Sequence, residues 1–326
     1  NLVEKRAQQD PAPFDWCYVF NFRNPDRPRL LQLPAGKGRR LARDMDRLVN
    51  NLRKMISKAF ESQHFEMHRN RILGSFLDST NLMYQKLEKM AQAEGFTISR
   101  SQHGISTIPL RDGKPLDQEE FATLDDETKQ ELLERSKALQ EKINEAMREY
   151  KELERTVREK MRVLEVETAR SVMVPYFAAL YETYREHAKV ISYLEEVHQD
   201  VLENLELFAG QQEEMQFPAA LFRRIDKKAA FKRYKVNVLV DNEGRDHAPV
   251  VYETNPTYAN LFGTIEYESE FGILSTDFTR VRAGAVHRAN GGYLILHVTD
   301  LFKNFFVWDT LKRSVTCRIR YPPLAR

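Results

Sequence analysis

The sequence predicts an α/β core interrupted by a long antiparallel helical, coiled-coil insertion that carries a small β-hairpin. Two observations lead to it. Apolar residues step by three and four through most of residues 39–217, the period of a helix. Before and after that stretch the pattern becomes that of short strands bounded by Pro and Gly. The expected division is therefore 1–38 for the first part of the core, 39–217 for the arm and 218–326 for the second part of the core.

The elements follow in chain order. Asp15 to Phe22 is aromatic and β-branched, with Pro11 and Pro13 before it and Pro25 and Pro28 after it, and reads as a buried strand. Leu30 to Leu33 is a second strand, ended by Pro34-Ala35-Gly36. A helix starts near Arg39 with a seam of Leu41, Met45, Leu48, Leu52, Met55 and Ala59, which Phe76, Met83, Leu87 and Met90 continue until Gly95 stops it. Phe96–Ile98 and Ile105–Ile108 flank His103-Gly104 as a hairpin within 96–110, and Asp112-Gly113 is a further turn. Asp117, with Glu120 three residues on, is expected to cap a long helix. Its stripe is Leu139, Ile143, Ala146, Tyr150, Leu153, Val157, Met161 and Leu164. Pro175 is expected to break or kink it. A return helix then carries Leu180, Tyr184, Ala188, Ile191, Leu194, Val201, Leu205 and Phe208, closed by Gly210 and Pro218. Beyond Pro218, Tyr234–Asp241 and Pro249–Glu253 read as strands, and Gly292–Leu296 as a strand buried on both faces.

Composition narrows the functional classes. The chain has 326 residues, of which 30% are charged, with a formal net charge of only +2. Such balance argues for solvated helices and against a general nucleic-acid binder. Two cysteines, Cys17 and Cys317, form neither a disulfide framework nor a metal cluster and suit a reducing, cytoplasmic compartment. No apolar run is long enough for a membrane span, and the N-terminus lacks both a signal-peptide pattern and an initiator Met, as expected of a fragment. His64 and His68 share a helix face but have no third ligand, so no metal site is expected. Arg223, Arg224, Lys227, Lys228, Lys232, Arg233 and Lys235 cluster near Phe222, Phe231 and Tyr234. That mixture suits either a basic joint or a nucleic-acid patch, and the near-neutral chain favours the joint.

Several spaced motifs carry a resemblance. They are Asn260-Leu261-Phe262-Gly263-Thr264-Ile265-Glu266, Gly272 to Asp277, and Ala283-Gly284-Ala285-Val286-His287-Arg288-Ala289 leading into Gly291-Gly292. Asp15-Trp16, Leu33-Pro34-Ala35-Gly36, Arg233-Tyr234 and Glu253-x-Asn255-Pro256 add to them. In this order they resemble the AAA+ module of Lon-like ATP-dependent proteases of the LonB and LonC type. The resemblance implies an AAA+-like core and a homo-oligomeric, hexameric ring. It also implies ATP with Mg²⁺ as cofactor, and unfolded or damaged proteins as partners destined for degradation. It makes the segment after Leu-Phe-Gly a pore loop, with Tyr267, Phe271, Ile273 and Leu274 as substrate grips, and Arg288 a residue near the subunit boundary.

The chain also departs from that pattern. A phosphate loop needs Gly-Lys-Ser/Thr after a glycine-rich turn, and Ala35-Gly36-Lys37-Gly38-Arg39 lacks the hydroxyl residue. In the family's order the loop would precede Asp15. The Walker B strand should end in two acids, yet Tyr293–Leu296 is followed by His297 and Val298, with Asp300 further on. No Ser-Lys peptidase context occurs before Arg326, so no catalytic residue is assigned. The reading is thus a substrate-handling, unfoldase-type module with a degenerate or incomplete ATPase site. Its rivals are a non-catalytic coiled-coil scaffold and a DNA-associated coiled-coil ATPase.

Overall fold

The computed structural model describes residues 2–101, 104–111, 113–117, 120–121, 123–209, 229–270, 273–303 and 306–316. It divides into two compact units, Asn1–Ser57 with Arg170–Arg326, and Lys58–Ala169. It is rich in long helices and carries several small sheets.

In the first unit a short helix α1 (Leu2–Ala7) precedes β1 (Asp15–Val19). β1 is the centre of an antiparallel sheet in the order β2-β1-β6, flanked by β2 (Arg29–Leu33) and β6 (Val236–Val240). All five β1 residues are buried, as the aromatic and β-branched run requires. Trp16 and Tyr18 pack with Leu239, Val240 and Val281. Helix α2 (Lys37–Phe60) buries Gly38, Leu41, Met45, Leu48, Leu52 and Ile56. Met55, expected in that seam, is 38% exposed, and Ile56 takes its place. With about 3.6 residues per turn the buried stripe drifts off a strict heptad, and after Leu52 it falls one position later.

The β-rich remainder of this unit is not a single α/β layer. β7 (Val250–Glu253) and β12 (Tyr293–Leu296) form a parallel pair of their own, in register from Val250↔Tyr293 to Glu253↔Leu296. All four β12 residues are only half-buried, which corrects the expectation of a strand covered on both faces. An apolar run shows that a strand can be covered; here β12 has β7 as its strand neighbour among the described residues.

The second unit begins with α3 (Gln63–Ala93), capped at Ser62, whose Oγ accepts from the Phe65 N–H at 3.2 Å. The seam of α2 therefore does not run on unbroken. Gly95, at φ 80, ends α3 as expected. β3 (Phe96–Ser101), β4 (Gly104–Arg111) and β5 (Lys114–Pro115) form an antiparallel sheet. The expected hairpin is there, closing at Ser101↔Gly104, while His103 and Asp112 lie outside the described residues. Leu87, Ala91 and Phe96 pack with Leu139, Ile143 and Ala146.

Helix α4 (Asp126–Thr183) differs from expectation at two points. Its cap is Asp125, not Asp117: the Asp125 carboxylate accepts from the Thr128 N–H at 3.0 Å and from its hydroxyl at 2.7 Å. Those bonds hold the Asp125 carboxyl below its usual range. The Asp117 N–H donates to the Glu120 carboxylate at 3.5 Å and its carbonyl accepts from the Phe121 N–H at 2.9 Å, ahead of the long helix. Pro175 lies inside α4 and does not end it. A proline removes one donor from the ladder, but Ala169, Met173, Phe177 and Leu180 are buried around it and hold the turns in place. The chain reverses only after Thr183. There the Tyr184 hydroxyl donates to Asp44 at 2.9 Å, and α5 (Ala188–Glu203) and α6 (Leu205–Phe208) follow. Leu194, Val201, Leu205 and Phe208 of the expected stripe are buried, whereas Ala188 is exposed.

Candidate functional site

The motif-bearing residues converge at one place in the first unit. Helix α7 (Tyr258–Phe262) is capped by Thr257, whose Oγ1 accepts from the Asn260 N–H at 3.2 Å. Gly263 ends it at φ 84 and ψ −179, a conformation that only glycine adopts freely. β8 (Thr264–Ile265) then pairs with β11 (Val281–Arg282). The chain between them folds as an antiparallel hairpin, β9 (Glu268–Glu270) on β10 (Ile273–Ser275), followed by a 3-10 turn at Phe278–Arg280. Helix α8 (Ala285–Arg288) follows Gly284, and Leu261, Phe262 and Ala285 share one buried cluster. A Cβ on Gly263 would lie 2.1 Å from the Arg282 carbonyl oxygen. The Leu-Phe-Gly and Ala-Gly-Ala motifs are thus two sides of one backbone contact, which explains why both need glycine.

Of the four expected grips, Tyr267 is 64% exposed and Leu274 70% exposed. The Ile273 backbone pairs with Glu270, and Phe271 lies outside the described residues. The base below these side chains is tightly tied. Glu268 receives Lys232 at 3.0 Å and Arg280 at 2.5 Å, and Lys232 also reaches Asp277 at 3.2 Å. These bonds, Lys232 first, hold the Glu268 carboxyl down at about 2. Arg282 meets Glu266 at 3.0 Å, and Thr276 donates to the Glu266 carbonyl at 2.8 Å.

A second cluster sits at the C-terminal ends of β7 and β12, where open parallel sheets usually bind ligands. His297 caps α9 (Val298–Phe302) through its carbonyl, which accepts from Asp300 and Leu301 at 3.1 and 3.0 Å. Val298 is 63% exposed. Asp300 is ion-paired with Lys303 at 2.7 Å, which lowers its pKa. Sequence reasoning missed Glu253, which the register places beside Leu296. It accepts from the Asn255 N–H at 3.1 Å and faces Arg288 at 3.6 Å. Arg288 also donates to the Ala283 carbonyl at 3.2 Å. A parallel neighbour of the strand that should end in acids was the available signal. His287 is buried and its Nδ1 accepts from the Gly284 N–H at 3.2 Å, while burial, and secondarily Arg288, depress its pKa.

The donor set for ATP and Mg²⁺ can be tested directly. At the start of α2 the Gly38 amide, which could help to cradle phosphate, already serves Asp15. Its Oδ2 accepts from Gly38 N–H at 2.9 Å and its Oδ1 from Asn242 N–H at 2.7 Å. Burial raises the Asp15 pKa against the pull of those bonds. Arg39 is engaged by Asp241 and by Glu243. Among the described residues no group of three or more His, Cys, Asp or Glu could hold a metal ion. His297 and Val298 offer no hard oxygen ligand for Mg²⁺. At these two places the described residues offer a Gly38 amide already bonded to Asp15, and His297 and Val298 rather than two acids after β12.

The remaining sequence features resolve simply. The rings of His64 and His68 lie 4.4 Å apart, and the His68 Nδ1 contacts the His64 carbonyl at 2.9 Å. Of the basic cluster, Lys232 and Arg233 are ion-paired within the fold, Lys235 is exposed, and Phe222, Arg223, Arg224, Lys227 and Lys228 lie outside the described residues. No described helix is long and apolar enough to cross a membrane.

Comparison with protein families agrees with this geometry. Residues 246–320 match the model of a LonB-like AAA domain. Residues 15–48, covering β1, β2 and the first turns of α2, match that of the Lon-like LonC helical domain. No curated protein matches the chain. The AAA match covers the glycine contact, the hairpin and the β7–β12 pair, and the helical-domain match covers the Asp15 junction; in these two segments the chain is similar to Lon-like proteins.

Proposed function

We propose that this chain is the polypeptide-handling module of a Lon-like ATP-dependent protease, and that the β9–β10 hairpin touches the polypeptide being moved. One observation carries the reading: Tyr267 and Leu274 are exposed on a base held by paired carboxylates and cations. Large apolar side chains on a fixed support can grip an extended chain without reading its sequence. Phe271 and Ile273, between them in sequence, belong to the same grip, and Arg288 lies towards a neighbouring subunit of a hexameric ring. Residues 1–38 and 218–326 are in this reading the two parts of the core. Residues 39–217 are its coiled-coil arm, which guides unfolded or damaged protein in the cytoplasm. Binding of fluorescent unfolded casein tests it: Tyr267→Ala with Leu274→Ala should weaken binding about tenfold. Equal affinity of the double variant and the parent would refute the hairpin's role.

The second part of the proposal is that the ATPase site is degenerate, with His297 and Val298 where acids should stand. It is supported by the occupied amides beside Asp15 and by the ion pair that engages Asp300. Nucleotide-dependent ATP turnover by the protein expressed from its full native gene, abolished by substitution at His297 or Val298, would overturn it. Absence of turnover with retained casein binding would leave a gate or scaffold that works without hydrolysis.

A further inference from the structure

Residues 232–234 lie between the hairpin and helix α5 and bond to both. Lys232 reaches Glu268 on β9 at 3.0 Å and Asp277 beyond β10 at 3.2 Å. The next residue, Arg233, turns the other way and meets Asp200 of α5 at 3.2 Å. The Tyr234 hydroxyl donates to the same Asp200 carboxylate at 2.6 Å. The tyrosine ring is buried and stands 5.8 Å from Phe208 and 6.5 Å from Phe22, so the segment between the two ion clusters is anchored by packing. The Lys232, Glu268, Asp277, Arg233 and Asp200 side chains are 14–30% exposed, which sets them apart from freely solvated surface pairs. Glu268 and Asp277 are further fixed by Arg280 and by the Thr279 N–H at 2.8 Å.

We propose that Lys232 and Arg233 are positioning residues that together fix the β9–β10 hairpin relative to α5, so that a change at Asp200 is felt at the hairpin. A contiguous chain of ion pairs and a buried ring is the kind of path that carries such coupling. The functional meaning rests on the hairpin touching substrate; the link itself does not.

Amide hydrogen exchange on the chain tests it, read separately for residues 264–275 and for α5. Lys232→Met should speed exchange in 264–275 about fivefold, and Lys232→Arg should restore it. The deciding variant is Arg233→Gln, which removes the bond to Asp200 while leaving every hairpin contact of Lys232 in place. Coupling requires that it also speeds exchange in 264–275; a rate equal to the parent's there overturns the proposal. If Arg233→Gln fails to fold, Tyr234→Phe loosens the same carboxylate with the ring retained, and the same outcomes apply. Casein affinity should fall in step with the exchange rate. A chain that never binds casein yet shows the coupled exchange would refute the substrate reading and leave the link standing.

Discussion

Gly284 stands against the backbone of Leu261 so closely that a Cβ on it would lie 2.2 Å from the Leu261 carbonyl oxygen and 2.4 Å from the Gly263 nitrogen. Neither obstacle is the end of a flexible side chain, so a substitution must move main chain in the middle of the candidate site. Gly284→Ala should cost about 2–4 kcal/mol and lower Tm by about 5–10 °C. Gly74, on α3, has nothing within 4 Å of its would-be Cβ, and Gly74→Ala should be stabilising by about 0.5–1 kcal/mol. Thermal unfolding of the pair checks the contrast; equal effects would mean that the close approach is not rigid.

The hairpin grip should depend on the shape and apolar surface of side chains, not on a particular hydrogen bond. Tyr267→Phe should therefore keep casein affinity within about twofold, while Tyr267→Ser should lose severalfold, both without change in Tm because the side chain is largely solvated. Unlabelled peptides of unrelated sequence should compete according to apolar content. A single preferred sequence among them would contradict a non-reading grip.

How much of this was readable from the sequence depends on what each element needed. β1, β2, β6 and the 96–110 hairpin were legible because strand period and turn residues are local. The seam of α2 was legible up to Leu52, and Met55 misled because heptad counting ignores the drift of a straight helix. Pro175, expected to break or kink the helix, does not break it, and the buried Ala169, Met173, Phe177 and Leu180 on either side are recorded by no local pattern. At the site, the place after Leu-Phe-Gly singled out Tyr267 and Leu274, and both are exposed; their role as grips belongs to the proposal. Glu253 and Asp15 were missed as site groups because their significance arises from pairing across the fold, with Arg288 in one case and with Gly38 and Asn242 in the other.

Stability should depend on pH through His287. Its folded pKa is depressed below the ordinary value near 6.5, chiefly by burial, so the neutral ring is the form the fold prefers. The contribution is complete above pH about 6.5 and is lost as pH falls from there towards the folded pKa. Protonation would also remove the Nδ1 lone pair that accepts from Gly284. His287→Gln keeps an acceptor without the titration and should flatten the slope of stability below pH about 6.5. His187 and His198 are depressed in the same direction, so a residual slope remains. Denaturant melts from pH 5 to pH 7.5, about the window given by the histidine reference value, decide it; identical slopes in parent and variant would reject the role.

Cys17 is fully buried, and burial together with Asp15 and Asp241 pushes its thiol up to about 12. In a Cys317→Ser background it should resist iodoacetamide in the folded protein and label only at the rate of unfolding. Mass spectrometry after graded denaturant exposure reads this directly. Rapid labelling under native conditions would mean that the sheet around β1 opens locally.

The Asp15 carboxylate also sets a condition on any attempt to engineer nucleotide binding into this chain. Supplying the missing hydroxyl after Lys37 would not be enough, because the Gly38 amide at the head of α2 is already bonded to an internal negative charge. Removing that charge would free the amide and at the same stroke release Asn242, whose N–H rests on the other oxygen and whose side chain donates to the Phe14 carbonyl at 3.1 Å. A graft here would have to rebuild the end of β6 together with the start of α2, so the two could not be redesigned one at a time.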